Sequence, residues 1–404
     1  MTDRIVVVGA SLAGLRAAES LRHHGFDGEL VIVGDEPHRP YDRPPLSKQI
    51  LTGNAEPDTI GLPVHDEFEA EWILATAATG VDLDAKKVRL AGHDDLAYDQ
   101  LVIATGTNVR YLQGAEPGPG IHYLRTLDNA IALRHDLALS KALVVIGAGF
   151  IGLEVACSAQ QLGVPVVVLE ALPVPLERAL GAEMGAAIMA WHAAKGIEIR
   201  AGVGVDAIVR VAAGDGAAAA RPESVVLDDG TSVPADTVVV GVGVVPATGW
   251  LEGSGLDLTN GVLCDEKLRV LRDGYPLRDV VAAGDVARWR HPLYDEPVRI
   301  EHWTIATEAG DAAARTLLDG DAAPAFGPVP YFWSDQHGMK LQFVGRASPG
   351  DDVSLVEGSF DDDRFVAAYG RKGRLVAALG LRRPAKVMAL QTQIARGAPF
   401  PPEI

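Results

Sequence analysis

Two glycine turns, each set between an apolar run and a helical pattern, and a change of character near residue 321 predict the fold. It is α/β, with two Rossmann-like dinucleotide-binding domains and a small α+β domain at the C-terminus. The clearer turn is Gly147-Ala148-Gly149-Phe150-Ile151-Gly152, which follows the apolar run 143–146. In such a turn the first glycine allows the sharp bend, the second lets a pyrophosphate approach the backbone, and the third lets helix and strand pack closely. The phosphates sit on free N–H groups at the helix start, where the helix dipole favours negative charge. A second apolar run, 165–169, ends in Glu170, about 20 residues on, where a carboxylate holds a ribose hydroxyl.

The same pattern stands at the N-terminus. Residues 4–8 read as a strand, Gly9-Ala10-Ser11-Leu12-Ala13-Gly14 as the turn, and 30–33 as the next strand, ended by Asp35 and Glu36. Ser11 replaces the middle glycine, and a side chain there pushes a bound phosphate outward. Two such units imply two dinucleotides.

Between them, Pro40-Tyr41-Asp42-Arg43-Pro44-Pro45 reads as a stiff loop as far as Leu46, because proline resists helix. A helix is expected to begin at Ser47-Lys48, and a rigid loop there can hold the Lys48 cation against a cofactor. Residues 71–103 read as strands, the last ending in the tight turn Ala104-Thr105-Gly106. A Pro/Gly-rich crossover covers 109–125, with Arg125 just beyond it. Residues 214–220 read as a hairpin tip, and the buried run 237–240 is followed by glycine turns at Gly241 and Gly243. The run 280–283 ends in Gly284-Asp285, where a carboxylate can accept hydrogen bonds from a sugar chain or cap a helix. Residues 302–318 read as an amphipathic helix.

From about 321, three prolines make a linker, and the aromatic stretch Tyr331-Phe332-Trp333 follows. Alternating runs at 340–344, 353–357, 365–369 and 374–378 read as a small antiparallel sheet, closed by a helix at 384–396. Eight basic residues and no acidic one lie from Arg364 to Arg396 (the others are Arg371, Lys372, Arg374, Arg382, Arg383 and Lys386). That local field can steer an acidic partner.

The net charge of −18 over 404 residues argues against nucleic acid as a general partner. Cys157 and Cys264 are far apart and form no C-x-x-C pair, so a structural disulfide is not expected and a reducing cytoplasm is the natural compartment; no metal site is expected. The chain enters a strand at once, without the pattern of a signal peptide. No apolar run approaches the roughly 20 residues that span a bilayer.

Taken in order, Arg39-Pro-Tyr-Asp-Arg-Pro-Pro-Leu-Ser-Lys48, Tyr98-Asp-Gln-Leu-Val-Ile-Ala-Thr-Gly106, Tyr123-Leu-Arg-Thr-Leu127, Val144 to Glu154, Ala282-Ala-Gly-Asp-Val-Ala287, Val298-Arg-Ile-Glu-His-Trp303 and Phe332-Trp-Ser-Asp-Gln336 carry a resemblance. The chain resembles the FAD-containing, NADH-dependent ferredoxin reductases that serve bacterial cytochromes P450 and Rieske-type ring dioxygenases. The resemblance covers about residues 3–385 and implies a glutathione-reductase-like arrangement: an FAD-binding domain of 1–108 and 243–320, an NADH-binding domain of 109–242, and a C-terminal domain of 321–404.

It also implies roles. Gly9, Ser11, Leu12, Ala13 and Gly14 meet the FAD pyrophosphate, Asp35 and Glu36 the adenosine ribose, and Ala78 the adenine. Arg43, Lys48, Ala104, Thr105, Gly106, Arg125, Gly243, Gly284, Asp285, Glu301, His302 and Trp303 complete the FAD site. Trp333 covers the ring from the C-terminal domain. Lys48 and Glu154 form an ion pair near flavin N5. Gly147, Gly149, Phe150, Ile151 and Gly152 cradle NADH, with Glu170 on its ribose. Phe332 stands where a second tryptophan is common.

The implied activity passes electrons from NADH through FAD to an iron–sulfur ferredoxin, which feeds a P450 or ring-hydroxylating oxygenase. An alternative is an NADH-dependent flavin reductase or oxidase with a small-molecule acceptor. A disulfide reductase is excluded because the 37–48 loop carries no cysteine. A nucleic-acid-binding flavin sensor is disfavoured by the acidic charge.

Overall fold

The computed structural model describes residues 3–64, 68–211 and 220–402. Of the hairpin tip expected at 214–220, only Ala220 lies within the described residues. The chain forms two compact units, each assembled from three separated segments: Met1–Asp42, Gly61–Asn108 and Val245–Pro330 in the first, Arg43–Ile60, Val109–Val244 and Tyr331–Ile404 in the second.

The first unit is built on a nine-stranded sheet. Five adjoining strands, reaching one edge, are parallel, in the order Tyr275–Ala282, Gln100–Ile103, Arg4–Val8, Glu29–Val33, Glu71–Ile73. Continuous apolar runs suit strands covered on both faces, and Ile5, Val6 and Val7 are fully buried. The helices Leu12–His23 and Trp303–Asp319 pack together, and the second matches the expected amphipathic helix within a residue. Their close approach depends on Gly310, where a Cβ would stand 2.6 Å from the Ala13 carbonyl oxygen.

The second unit holds a five-stranded parallel sheet in the order Glu198–Ala201, Val166–Glu170, Leu143–Ile146, Thr237–Val240, Ile121–His122. The helices Leu127–Leu137, Phe150–Gln161 and Glu177–Ala194 accompany it. The same unit contains an antiparallel sheet ordered Tyr331–Gln336, Met339–Gly345, Arg374–Leu381, Arg364–Arg371, Asp352–Ser359, backed by the helix Pro384–Ala395. The expected small sheet and closing helix are therefore present, and the aromatic stretch is itself an edge strand of that sheet.

Three local expectations change. The stiff loop before Leu46 is a 3-10 helix over Pro44–Ser47, since proline's fixed φ suits a first helical turn. The following α-helix begins at Gln49 rather than Ser47, because Lys48 at φ −127°, ψ −95° breaks the run. The run ending in Gly284-Asp285 is longer than read, starting at Tyr275.

Candidate functional site

The two glycine turns solve the same backbone problem. Gly9 has φ +124°, and a Cβ on it would stand 2.1 Å from the Ala104 carbonyl oxygen. Gly147 has φ +103°, and its Cβ would stand 2.3 Å from the Gly241 carbonyl oxygen. Each glycine thus lets the turn pass against the backbone of a returning strand. Gly14 and Gly152 repeat the likeness, each facing the carbonyl oxygen of its own turn's first glycine.

In the first unit, Ser11 is the N-cap of Leu12–His23 with ordinary extended dihedrals, φ −118° and ψ −162°. The position therefore has no conformational need for glycine. No side chain caps this helix start and no acidic residue lies in its first turn, which leaves N–H groups directed at an anion. Around it stand Thr105, whose hydroxyl donates to the Ala247 carbonyl at 2.8 Å, and Gly284, whose φ of +74° brings its turn against Ala13. Asp285 accepts from Thr107 Oγ1 at 3.4 Å, and Trp303 Nε1 donates to Asp42 at 2.7 Å. Glu301 pairs with Arg299 at 2.6 Å. Burial pushes the His302 imidazole down to about 4, so the ring is neutral at pH 7. Asp35 is exposed at the end of its strand, and Glu36 beside it accepts from the Tyr41 hydroxyl. Ala78 opens the strand Ala78–Asp82.

In the second unit, Gly149 is the N-cap of Phe150–Gln161, again with no side-chain cap and no acid in the first turn. A Cβ on Gly149 would meet nothing within 4 Å, so this glycine keeps space open rather than relieving a clash. Ile151 is 47% exposed beside it, and the Phe150 ring lies 4.7 Å from that of Phe332. Glu170 holds the turn itself, accepting from the Ala148 and Leu172 N–H groups at 2.8 Å each. A carboxylate has about four acceptor sites, so two remain for a diol. Glu170→Ala is expected to raise KM for NADH about tenfold and to shrink the preference over NADPH, because it removes both the diol acceptor and the charge opposing a 2′-phosphate. Steady-state kinetics with both nucleotides check this. An unchanged ratio removes Glu170 from the ribose site.

Lys48 and Glu154 meet within the second unit. Lys48 Nζ lies 2.7 Å from Glu154 Oε2, with side chains 13% and 6% exposed. Three further donors converge on the same carboxylate: Ser47 Oγ on Oε2, and on Oε1 both Ser334 Oγ at 2.7 Å and the Asp335 N–H at 3.2 Å. Ser158 Oγ donates to the Ser47 carbonyl at 2.7 Å and ties the lysine loop to the glycine-turn helix. A buried carboxylate with four donors is a fully satisfied anchor, and it fixes the lysine in place. Sequence reasoning missed Ser47, Ser158 and Ser334, since nothing local marks a serine that bonds a distant glutamate.

The remaining positions are spread more widely. Arg43 Nη1 donates to the Arg125 carbonyl, which joins the proline loop to the segment after the crossover. Trp333 stacks with Tyr331 at 6.0 Å and carries the Lys340 ammonium over its face at 5.1 Å. Gly243 has φ +99° and open space where a Cβ would be. Several cations of the basic run expected to face a partner are already paired: Arg371 with Asp351, and Arg383 and Lys386 with Glu357. Asp351 and Glu357, which lie outside the window 364–396, neutralise that part of the basic run.

Both cysteines are free thiols, and burial pushes Cys157 up to about 12 and Cys264 higher still. Neither is a reactive thiolate at neutral pH. Among the described residues, no helix is long and apolar enough to cross a membrane.

Two glycine turns, each leading from a parallel strand into a helix start, with a buried lysine–carboxylate pair, define a protein of the dinucleotide-binding oxidoreductase class. The donor sets fit both dinucleotides: open N–H groups for each pyrophosphate and a carboxylate at the end of each second strand. The chain belongs to the pyridine nucleotide-disulphide oxidoreductase family, which matches residues 3–310, and residues 331–404 match the reductase C-terminal domain. It is 38% identical to rhodocoxin reductase of Rhodococcus erythropolis, over 99% of this chain and 91% of that one. It is 36% identical to the ferredoxin–NAD(+) reductase component of the anthranilate 1,2-dioxygenase system of Burkholderia cepacia, over 98% and 95%. The reductase in the covalent putidaredoxin reductase–putidaredoxin complex superposes with a TM-score of 0.91 at 32% identity, covering 98% of this chain and 94% of that one. The chain is accordingly an oxidoreductase of this family, and the relatives it resembles over nearly their whole length are named as NAD(+)-linked ferredoxin reductases.

Proposed function

We propose that this reductase takes a hydride from NADH and delivers single electrons to an acidic iron–sulfur ferredoxin serving a P450 or ring-hydroxylating oxygenase. FAD, when bound, supplies the conversion from a two-electron to a one-electron donor. The chain's own residues do the rest. Gly147, Gly149, Phe150, Ile151 and Gly152 seat the nicotinamide nucleotide, and Glu170 holds its ribose. Gly9, Ser11, Leu12, Ala13 and Gly14 seat the flavin nucleotide, with Asp35, Asp285 and Trp303. Lys48, held by Glu154, presents a fixed cation to the reacting end of the flavin.

The observation that carries this reading is the buried Lys48–Glu154 pair with its three added donors, in a chain whose cysteines are both protonated. In the same reading 1–108 with 243–320 bind FAD, 109–242 bind NADH, 321–404 form the C-terminal domain, and the enzyme works in the cytoplasm.

The test is anaerobic. NADH is expected to bleach the flavin, and an added 2Fe–2S ferredoxin is expected to be reduced next. Bleaching with no passage to any ferredoxin would move the assignment to a small-molecule acceptor. Docking is expected to be salt-sensitive through the exposed Arg364, Lys372, Arg374, Arg382 and Arg396. KM for ferredoxin should rise about five- to tenfold between 50 and 300 mM salt while flavin reduction by NADH holds steady, as screening of exposed charge requires.

A further inference from the structure

Cys157, His192 and His337 come together inside the second unit, with their ligand atoms all within 4.8 Å of one another. They arrive on three elements: the helix Phe150–Gln161, the helix Glu177–Ala194, and the turn between Tyr331–Gln336 and Met339–Gly345. His192 is wholly buried, while Cys157 and His337 are half-buried, so the cluster is roofed but open to a small ion.

The hydrogen bonds fix the protons. Glu154 can only accept, so Ser334 Oγ donates to it at 2.7 Å. Ser334 Oγ therefore receives Gln336 Nε2 at 3.0 Å, which turns Gln336 Oε1 towards His192 Nε2 at 2.9 Å. An amide oxygen only accepts, so the His192 proton sits on Nε2 and the Nδ1 lone pair points into the cluster. That lone pair faces His337 Nε2 at 2.9 Å, and a backbone hydrogen bond from His337 reaches the Cys157 thiol. A histidine whose outer nitrogen is held by an oxygen acceptor, leaving the inner one open, is the arrangement of metal-ligating imidazoles.

The turn fixes the position of His337. His337 has φ +52° and Gly338 φ +72°, the two-residue turn that ordinarily takes Asn-Gly. The same geometry recurs at Lys372-Gly373 and Asp273-Gly274, so the turn is an ordinary one that sets the His337 ring on the cluster side of the hairpin without strain of its own. The neighbouring charges balance, since Lys195 lies 2.9 Å from Asp363.

We propose that Cys157 Sγ, His192 Nδ1 and His337 Nε2 form a binding site for a borderline-soft divalent cation such as Zn²⁺, with water as fourth ligand. Thiolate and imidazole ligands suit zinc and copper rather than magnesium or calcium. Tetrahedral bonds of about 2.3 Å to sulfur and 2.0–2.1 Å to nitrogen put the two ring nitrogens about 3.3 Å apart, so the histidine pair opens by under an ångström. Binding releases the Cys157 thiol proton to solvent as the sulfur–metal bond forms, and His337 moves its ring proton from Nε2 to Nδ1.

The thiol itself reports occupancy. Cys264 is 1% exposed, so a prolonged maleimide incubation at mildly alkaline pH, which the slow protonated Cys157 thiol requires, reads Cys157 in the folded holoenzyme against the metal-free protein, followed by mass spectrometry of its peptide. Zn²⁺ at 10 µM is expected to slow alkylation at least tenfold, and Mg²⁺ is expected to leave it unchanged. His337→Asn, which suits the turn and preserves the fold, is expected to abolish Zn²⁺ protection. Calorimetry should lose one Zn²⁺ site in both His337→Asn and Cys157→Ser. Absence of protection in the parent, or protection that survives His337→Asn, overturns the site.

Discussion

Lys48→Ala should slow reduction of the flavin by NADH about 10²-fold, the range seen when one fixed electrostatic donor is removed from a reacting centre. Stopped-flow bleaching at 450 nm, with flavin content verified by absorbance, reads it directly. The variant should still fold. Glu154 keeps Ser47, Ser334 and the Asp335 N–H, so its carboxylate stays satisfied and the loss of stability should be only about 1–3 kcal/mol. The reverse change is harsher. Glu154→Ala strands an ammonium that is 13% exposed and releases the donors that met on the carboxylate, a loss of about 3–5 kcal/mol. A Lys48→Ala enzyme that reduces its flavin as fast as the parent would end the electrostatic role given to this lysine.

Gly147→Ala and Gly149→Ala should part company, although the two glycines are two residues apart in one turn. At Gly147 the added Cβ lies 2.3 Å from a backbone oxygen and the φ of +103° is hostile to any side chain. Both strands must shift, and the second unit should lose more than about 3 kcal/mol, visible as a lower melting temperature and poor yield. At Gly149 the dihedrals are ordinary, φ −75° and ψ 176°, and a methyl group meets nothing. Melting should be unchanged there, while KM for NADH rises about tenfold as the methyl occupies the phosphate's approach. Equal melting temperatures for the two variants would contradict the geometry.

The contrast shows where a sequence speaks clearly. The glycine turns were legible because strand, turn, helix and acid are all local, and Gly9 and Gly147 take the backbone roles expected of first glycines. The antiparallel sheet at 339–381 was legible from its short local runs set between turn residues, although Arg364–Arg371 and Arg374–Leu381 are buried on both faces rather than alternating. The edge strand Tyr331–Gln336 was not, because its inward residues Ser334 and Gln336 are polar and wholly buried. Hydrophobic alternation fails when a buried face serves a distant carboxylate and imidazole. Lys48 and Glu154 could be paired only through family resemblance, and the serines around them not at all. The basic run from Arg364 looked unopposed because Asp351 and Glu357, which neutralise part of it, lie on the neighbouring strand Asp352–Ser359 or just before it.

The discontinuity of the two units has a practical side. The chain passes from one to the other five times, at 42/43, 60/61, 108/109, 244/245 and 330/331. No single cut releases either half, and truncation from either end leaves fragments that lack strands of their own sheet. Ribosomal synthesis cannot finish the first unit until residue 330 has emerged, because its second helix, Trp303–Asp319, and half of its sheet are made last. Anyone wishing to transplant the nucleotide half into another reductase must therefore graft three pieces of chain together and rejoin the scaffold around them.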